Sequence, residues 1–169
     1  MTHIVVTPLS QLARQMKAHR PSHVVTLTSG AVPDLGEDYA GQRLALTFND
    51  IIEPREDLIL PDETHVRQLL DFARQWNRQA PLLIHCYAGV SRSTAAAFIL
   101  ASALQPDQDE ARLAQDLRRL SPSATPNIRL IALADMMLGR DGRMEQAIRH
   151  IGRGVDAFEG AVFSLPLSD

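Results

Sequence analysis

A chain of 169 residues, 45% apolar and 22% charged, has the size and make-up of one globular domain that buries its own core. Its net charge of −3 argues against a nucleic-acid-binding surface, which would show as a basic excess. A single cysteine excludes a disulfide framework, and no apolar run reaches membrane-spanning length.

Residues 3–6 form a first strand candidate. Pro8 suits the first turn of a helix in which Leu9, Leu12, Ala13 and Met16 recur at helical spacing to about Arg20. Pro21 ends it. Residues 24–28, β-branched and apolar, read as a second strand. Residues 29–42 hold Gly30, Pro33, Gly36 and Gly41 and read as an irregular loop, either a plain connection or one wall of a substrate cleft. A third strand spans residues 43–48 and stops at Asn49-Asp50. After a loop over residues 51–60, Pro61 and Asp62 start a helix whose Val66, Leu69, Leu70, Ala73 and Trp76 share one face. Trp76 reads as a core residue on that stripe.

A short apolar run, 81–84, reads as a buried strand, and residues 94–104, alanine-rich and apolar almost all round, as a buried helix. Between them lies His85-Cys86-Tyr87-Ala88-Gly89-Val90-Ser91-Arg92-Ser93. Pro106 then opens an amphipathic helix carrying Leu113, Leu117 and Leu120. Residues 121–127 turn into an apolar helix over 128–138, which Gly139 and Gly142 break. Met144, Ala147, Ile148 and Ile151 mark a last helical stripe. The tail beyond Gly152 shows no clear period, and residues 154–169 stay unassigned. Strands alternating with helices predict a single α/β domain spanning 1–169. It has three layers, with a mainly parallel sheet of about four to five strands flanked by helices. The His85–Ser93 stretch then sits at the carboxyl end of a central strand, where open α/β sheets bind ligands.

A strand that passes through a tight loop into a helix start presents main-chain amides and a partial positive charge to an anion. The amides of Tyr87, Ala88, Gly89, Val90 and Ser91 are placed to hold the oxygens of a phosphoryl group, and Arg92 can bind two of them in a planar fork. The same positive surroundings favour a thiolate at Cys86, beneath the phosphorus and in line with the leaving oxygen. Ser93 can donate to the sulfur, and His85 orients the loop. A buried structural Cys needs neither Gly89 nor the strand-to-helix switch. No GxxxxGK occurs, which excludes a P-loop kinase or ATPase.

His-Cys, five residues, then Arg-Ser resembles the signature of the cysteine-dependent protein tyrosine phosphatase superfamily. The resemblance implies phosphomonoester hydrolysis through a phosphocysteine, with no metal and no cofactor. It also implies a general-acid Asp on the loop after an earlier strand. That loop offers Asp50, Glu53, Glu56 and Asp57. Asp50, at the strand exit, is the first choice and Asp57 the second, while an Asn-Asp pair also caps turns. No Trp-Pro-Asp is present, so the chain looks closest to the small dual-specificity-like branch. In that branch a turn like 123–127 precedes the last core helix, and Asn127 would brace the phosphate loop; it is also a natural N-cap. Phosphoinositide phosphatases of the superfamily tend to carry Lys at the loop positions held here by Tyr87, Ala88 and Val90. The implied substrate is therefore a phosphorylated protein, tyrosine-specific or dual-specificity, or a small phosphomonoester, and not nucleic acid or a membrane lipid. Two alternatives use a similar loop: a phosphoprotein-binding module without turnover, and arsenate reduction, which usually recruits further cysteines. The lone Cys and the lack of a charged-then-apolar leader predict a cytoplasmic protein.

Overall fold

The computed structural model describes residues 1–168. Strands β1 (Thr2–Thr7), β2 (His23–Thr28), β3 (Gln42–Thr47), β4 (Leu82–His85) and β5 (Phe163–Leu167) form one sheet in the order β3-β2-β4-β1-β5. β1 to β4 run parallel, and β5 pairs antiparallel with β1 at the edge. β2 and β4 lie inside the sheet and are buried along almost their whole length, as strands covered on both faces are.

The period of two along the strands divides the core. Ile4, Val6, Val25, Leu27, Leu82 and Ile84 face one layer of helices: α2 (Glu63–Arg74), α3 (Arg92–Leu104), α4 (Glu110–Leu120), α5 (Ile128–Met137) and α6 (Arg143–Ile151). Val5, Val24 and Leu83 face the other side, packed with Leu12, Met16, Leu35 and Tyr39. Leu12 and Met16 belong to α1 (Leu12–His19), which follows a 3₁₀ turn at Leu9–Gln11. The result is the expected three-layer α/β domain. α3 is its centre, buried from Arg92 through Ser102, because its alanines let α2, α4 and α5 approach closely. Among the described residues no helix is long and apolar enough to cross a membrane.

Several element ends differ from the sequence reading. α3 starts at Arg92, so Arg92 and Ser93 are already helical. α4 starts at Glu110 rather than at Pro106, because Asp109 accepts from Arg112 N at 2.8 Å and caps it. Asp62 is the N-cap of α2, in a capping box closed by His65 Nδ1. Trp76 lies beyond the end of α2; it is buried, with Nε1 donating to Ala80 O at 2.8 Å. The tail supplies β5, where Phe163, Leu165 and Leu167 point inward. Pro166 is tolerated there because an edge strand has a side with no ladder bond to lose.

Candidate active site

The carboxyl end of β4 delivers His85 and Cys86 to a loop that turns directly into α3. Every turn of that loop is fixed from outside through its carbonyls. Tyr87 O accepts from Leu9 N at 3.0 Å, Ala88 O from Gly160 N at 2.8 Å, Val90 O from Thr125 N at 2.9 Å and Ser91 O from Asn127 N at 3.2 Å. Gly89 sits at φ +69, and a Cβ there would lie 2.9 Å from Pro8 N. Only glycine fits that position. With the carbonyls drawn outward, the amides turn inward. Gly89 N donates to Cys86 Sγ at 3.3 Å, and the amides of Tyr87, Ala88, Val90 and Ser91 have no acceptor among the described residues. Inward amides around a sulfur form a cradle for an anion.

Cys86 is 4% exposed, and Ser93 Oγ lies 3.1 Å from its Sγ, placed to donate to a thiolate. Arg92 is also buried, and its Nη1 donates to Phe48 O at 2.9 Å and Ser29 Oγ at 2.8 Å. Its Nε and Nη2 have no protein partner among the described residues, which leaves the planar fork for a ligand. Cys86 and Arg92 line a cleft of about 560 Å³ whose other wall is formed by Leu27, Ser29, Ala31 and Pro33. The loop after β2 is thus a wall and not merely a connection. Tyr87 is 66% exposed at the rim of this cleft, so it packs on no neighbouring strand.

His85 is enclosed behind the cysteine. Its Nε2 lies 2.8 Å from Thr26 Oγ1, and its Nδ1 3.4 Å from Cys86 O. Arg43 donates to the same Thr26 oxygen from Nε at 3.1 Å and Nη2 at 2.8 Å. That oxygen already accepts twice, so its one proton points to Nε2, and the imidazole carries its hydrogen on Nδ1. Burial pushes the His85 pKa down to about 4; the bond to the Cys86 carbonyl opposes the shift, and the Arg43 charge adds to it.

Asp50 sits against the far side of the loop. Its Oδ1 accepts from Ser91 Oγ at 2.7 Å and from Asn127 Nδ2 at 2.9 Å, while Oδ2 has no partner among the described residues. Asn127 also donates from Nδ2 to Ile51 O at 3.2 Å and caps α5 by accepting from Leu130 N at 3.1 Å. It reaches the phosphate loop only through its main-chain amide, and its side chain positions Asp50. Asp50 borders a second recess, shared with Val90, Ser91, Arg153 and Val155, beside the Cys86 cleft. The rest of the acidic loop is closed off by paired bonds between Asn49 and Ile59. Glu53, Glu56 and Asp57 lie beyond that neck, exposed, with no bond to the phosphate loop.

Sequence spacing did not reveal Ser29, Thr26, Arg43 or Gly160 as parts of this site. Two signals were present. Thr26 is a polar residue in an apolar strand, and Ser29 directly follows the carboxyl end of a central strand.

Solved structures with this fold are known. DUSP15 superposes with a TM-score of 0.63 at 16% identity, over 89% of this chain and 92% of that one. The phosphatase domain of Yvh1 from Chaetomium thermophilum gives 0.56 at 20% identity, over 83% and 92%. Human tyrosine phosphatase-like serine/threonine/tyrosine-interacting protein gives 0.58 at 15% identity, over 82% and 92%. No family model and no curated protein matches the sequence. At these identities the likeness is one of fold: the chain has the fold of the dual-specificity phosphatases on which it superposes.

Proposed function

We propose that the protein hydrolyses phosphomonoesters through a phosphocysteine, as a protein tyrosine or dual-specificity phosphatase. The observation that carries this reading is the convergence of a buried Cys86 Sγ, inward loop amides and the unpartnered edge of Arg92 on one point of a cleft. In the first step the Cys86 thiolate attacks phosphorus. The bond from phosphorus to the ester oxygen breaks, and that oxygen takes a proton from Asp50 Oδ2. The Arg92 fork and the loop amides hold the three equatorial oxygens as charge spreads over them. In the second step water attacks phosphorus, Asp50 takes its proton, and inorganic phosphate leaves as the thiolate returns. Ser93 stabilises the departing sulfur by donating to it. His85, neutral and clamped, holds the Cys86 carbonyl and takes no proton.

A second reading, phosphoprotein capture without turnover, draws on the neighbour named as an interacting protein. Capture needs the amides and Arg92, but it does not need a buried thiolate with a hydroxyl donor beside it.

Hydrolysis of an activated aryl phosphate at pH 5–7 by wild type and Cys86→Ser in parallel decides between them. Turnover in the wild type that disappears in the variant is the expected outcome. No turnover by either, with vanadate still protecting Cys86 from alkylation, would establish capture.

A further inference from the structure

Among the described residues ten large apolar side chains are exposed, and all but Met1 and Met136 sit on segments that surround the phosphate loop. Leu9 and Tyr87 share the rim of the Cys86 cleft, and exposed Val32 lies between Ala31 and Pro33, which line its opposite wall. Ile52, Leu58 and Ile59 lie on the loop that carries Asp50. Val155 lines the second recess, and Phe158, 86% exposed, lies on the tail that Gly160 ties to Ala88. Exposed apolar groups scattered singly need no explanation; a collar around one site marks a surface that meets a partner. The collar reaches from one cleft across to the other, which is wider than a small phosphomonoester needs.

Its charge narrows the partner further. The loop over 50–60 carries Asp50, Glu53, Glu56 and Asp57 against Arg55 alone, and the tail adds Asp156 and Glu159 against Arg153. Arg153 is already paired with Asp156 at 2.7 Å. Outside Arg92 the two recesses hold Asp50, Asp156 and its partner Arg153, and the acidic excess lies on the exposed segments beside them, although the whole chain is only −3. Such an excess repels an anionic membrane surface and polyphosphorylated ligands, and attracts cations.

Resting on the phosphatase reading above, we infer that the substrate is a phosphorylated polypeptide with basic and apolar side chains flanking the phosphoresidue. The phosphoryl group enters the Cys86 cradle. The flanking residues lie over Tyr87, Val155 and Phe158, with their positive charges toward Glu53 and Glu56.

The test compares two phosphotyrosine peptides of equal length, one flanked by Arg and Leu, the other by Glu and Leu, with an aryl phosphate as the reference. The expected preference for the Arg peptide is about tenfold in kcat/KM at 0.02 M salt, and it shrinks to within about twofold at 1 M, where the Debye length is about 3 Å. E53K/E56K removes that preference while leaving aryl phosphate hydrolysis unchanged. The Kd of Cys86→Ser for the two peptides reads the same preference independently of turnover. Equal treatment of the peptides, by kcat/KM and by Kd, would overturn the inference and leave the phosphatase reading intact. Loss of aryl phosphate hydrolysis alone would overturn only the latter. Faster phosphate release from phosphatidic acid in phosphatidylcholine vesicles than from the Arg peptide would also overturn it, in favour of a lipid.

Discussion

Thr26 Oγ1 and His85 Nε2 lie 2.8 Å apart behind the phosphate loop, and the two Arg43 donors on the same oxygen set the direction of that bond. A chain of bonds thus runs from Arg43 on one strand, through Thr26 on the next, to His85 and the carbonyl of Cys86. Thr26→Val keeps the shape and removes the hydroxyl, leaving buried Nε2 and two guanidinium donors unsatisfied. That costs about 1–3 kcal/mol. We expect Thr26→Val to lower Tm and kcat with KM little changed, and Thr26→Ser to restore both. An unaltered kcat in Thr26→Val would remove the hydroxyl from the site.

The depressed pKa of His85 makes stability depend on pH in a defined direction. The folded imidazole titrates near 4 and the unfolded one near 6.5, so between these values the unfolded chain binds the extra proton. The folded state is therefore at full strength above pH 6.5 and weakens as pH falls toward 4, by roughly 2–3 kcal/mol from this residue at pH 4.5. His85→Gln should lose less stability than the wild type between pH 7 and 4.5 in urea unfolding. His3 and His23, also lowered chiefly by burial, act in the same sense in both proteins and cancel in the comparison. Parallel losses in the two proteins would contradict a neutral, clamped His85.

How much of this was legible in the chain depended on whether the chemistry was local. The cradle is built from consecutive residues, Cys86 to Ser93, between an apolar strand and an alanine-rich helix, so spacing alone exposes it. The partners of that cradle come from other elements. Ser29 meets Arg92 from 63 residues away and Thr26 meets His85 from 59, contacts set by the register of β2 against β4, which periodicity does not contain. The tail failed differently. Phe163, Leu165 and Leu167 do alternate, but Pro166 inside a five-residue run argues against a strand unless its place at the sheet edge is known. Pro106 misled because helices begin at a cap, and Asp109 is a better one.

The tail also acts as a buttress. A Cβ on Gly160 would lie 2.5 Å from Gly89 O, backbone against backbone, so neither side can yield by a rotamer change. Gly160→Ala must displace either the tail or the turn of the phosphate loop at Gly89. The expected cost is about 1–3 kcal/mol in stability. A fall in kcat/KM for an aryl phosphate should accompany it, since the cradle amides move with Gly89. A variant that loses stability but keeps full kcat/KM would show that the tail gives way and the loop does not.

The assignment of the proton donor is the sharpest remaining test. Asp50 Oδ1 is held by Ser91 and Asn127, so a proton for the leaving group must sit on Oδ2, which no described residue engages. Asp50→Asn keeps an acceptor oxygen for Ser91 and Asn127 and removes the acid. Its effect should grow with the basicity of the leaving group. Phenyl phosphate should lose about 10²-fold or more in kcat, whereas para-nitrophenyl phosphate, whose oxygen needs little help, should lose about tenfold or less. Asp57, beyond the Asn49–Ile59 neck, should show no such gradient when changed to Asn. A steep gradient in Asp57→Asn with a flat one in Asp50→Asn would mean that the loop folds over the cleft during turnover, and that the bonds to Ser91 and Asn127 belong to a resting state.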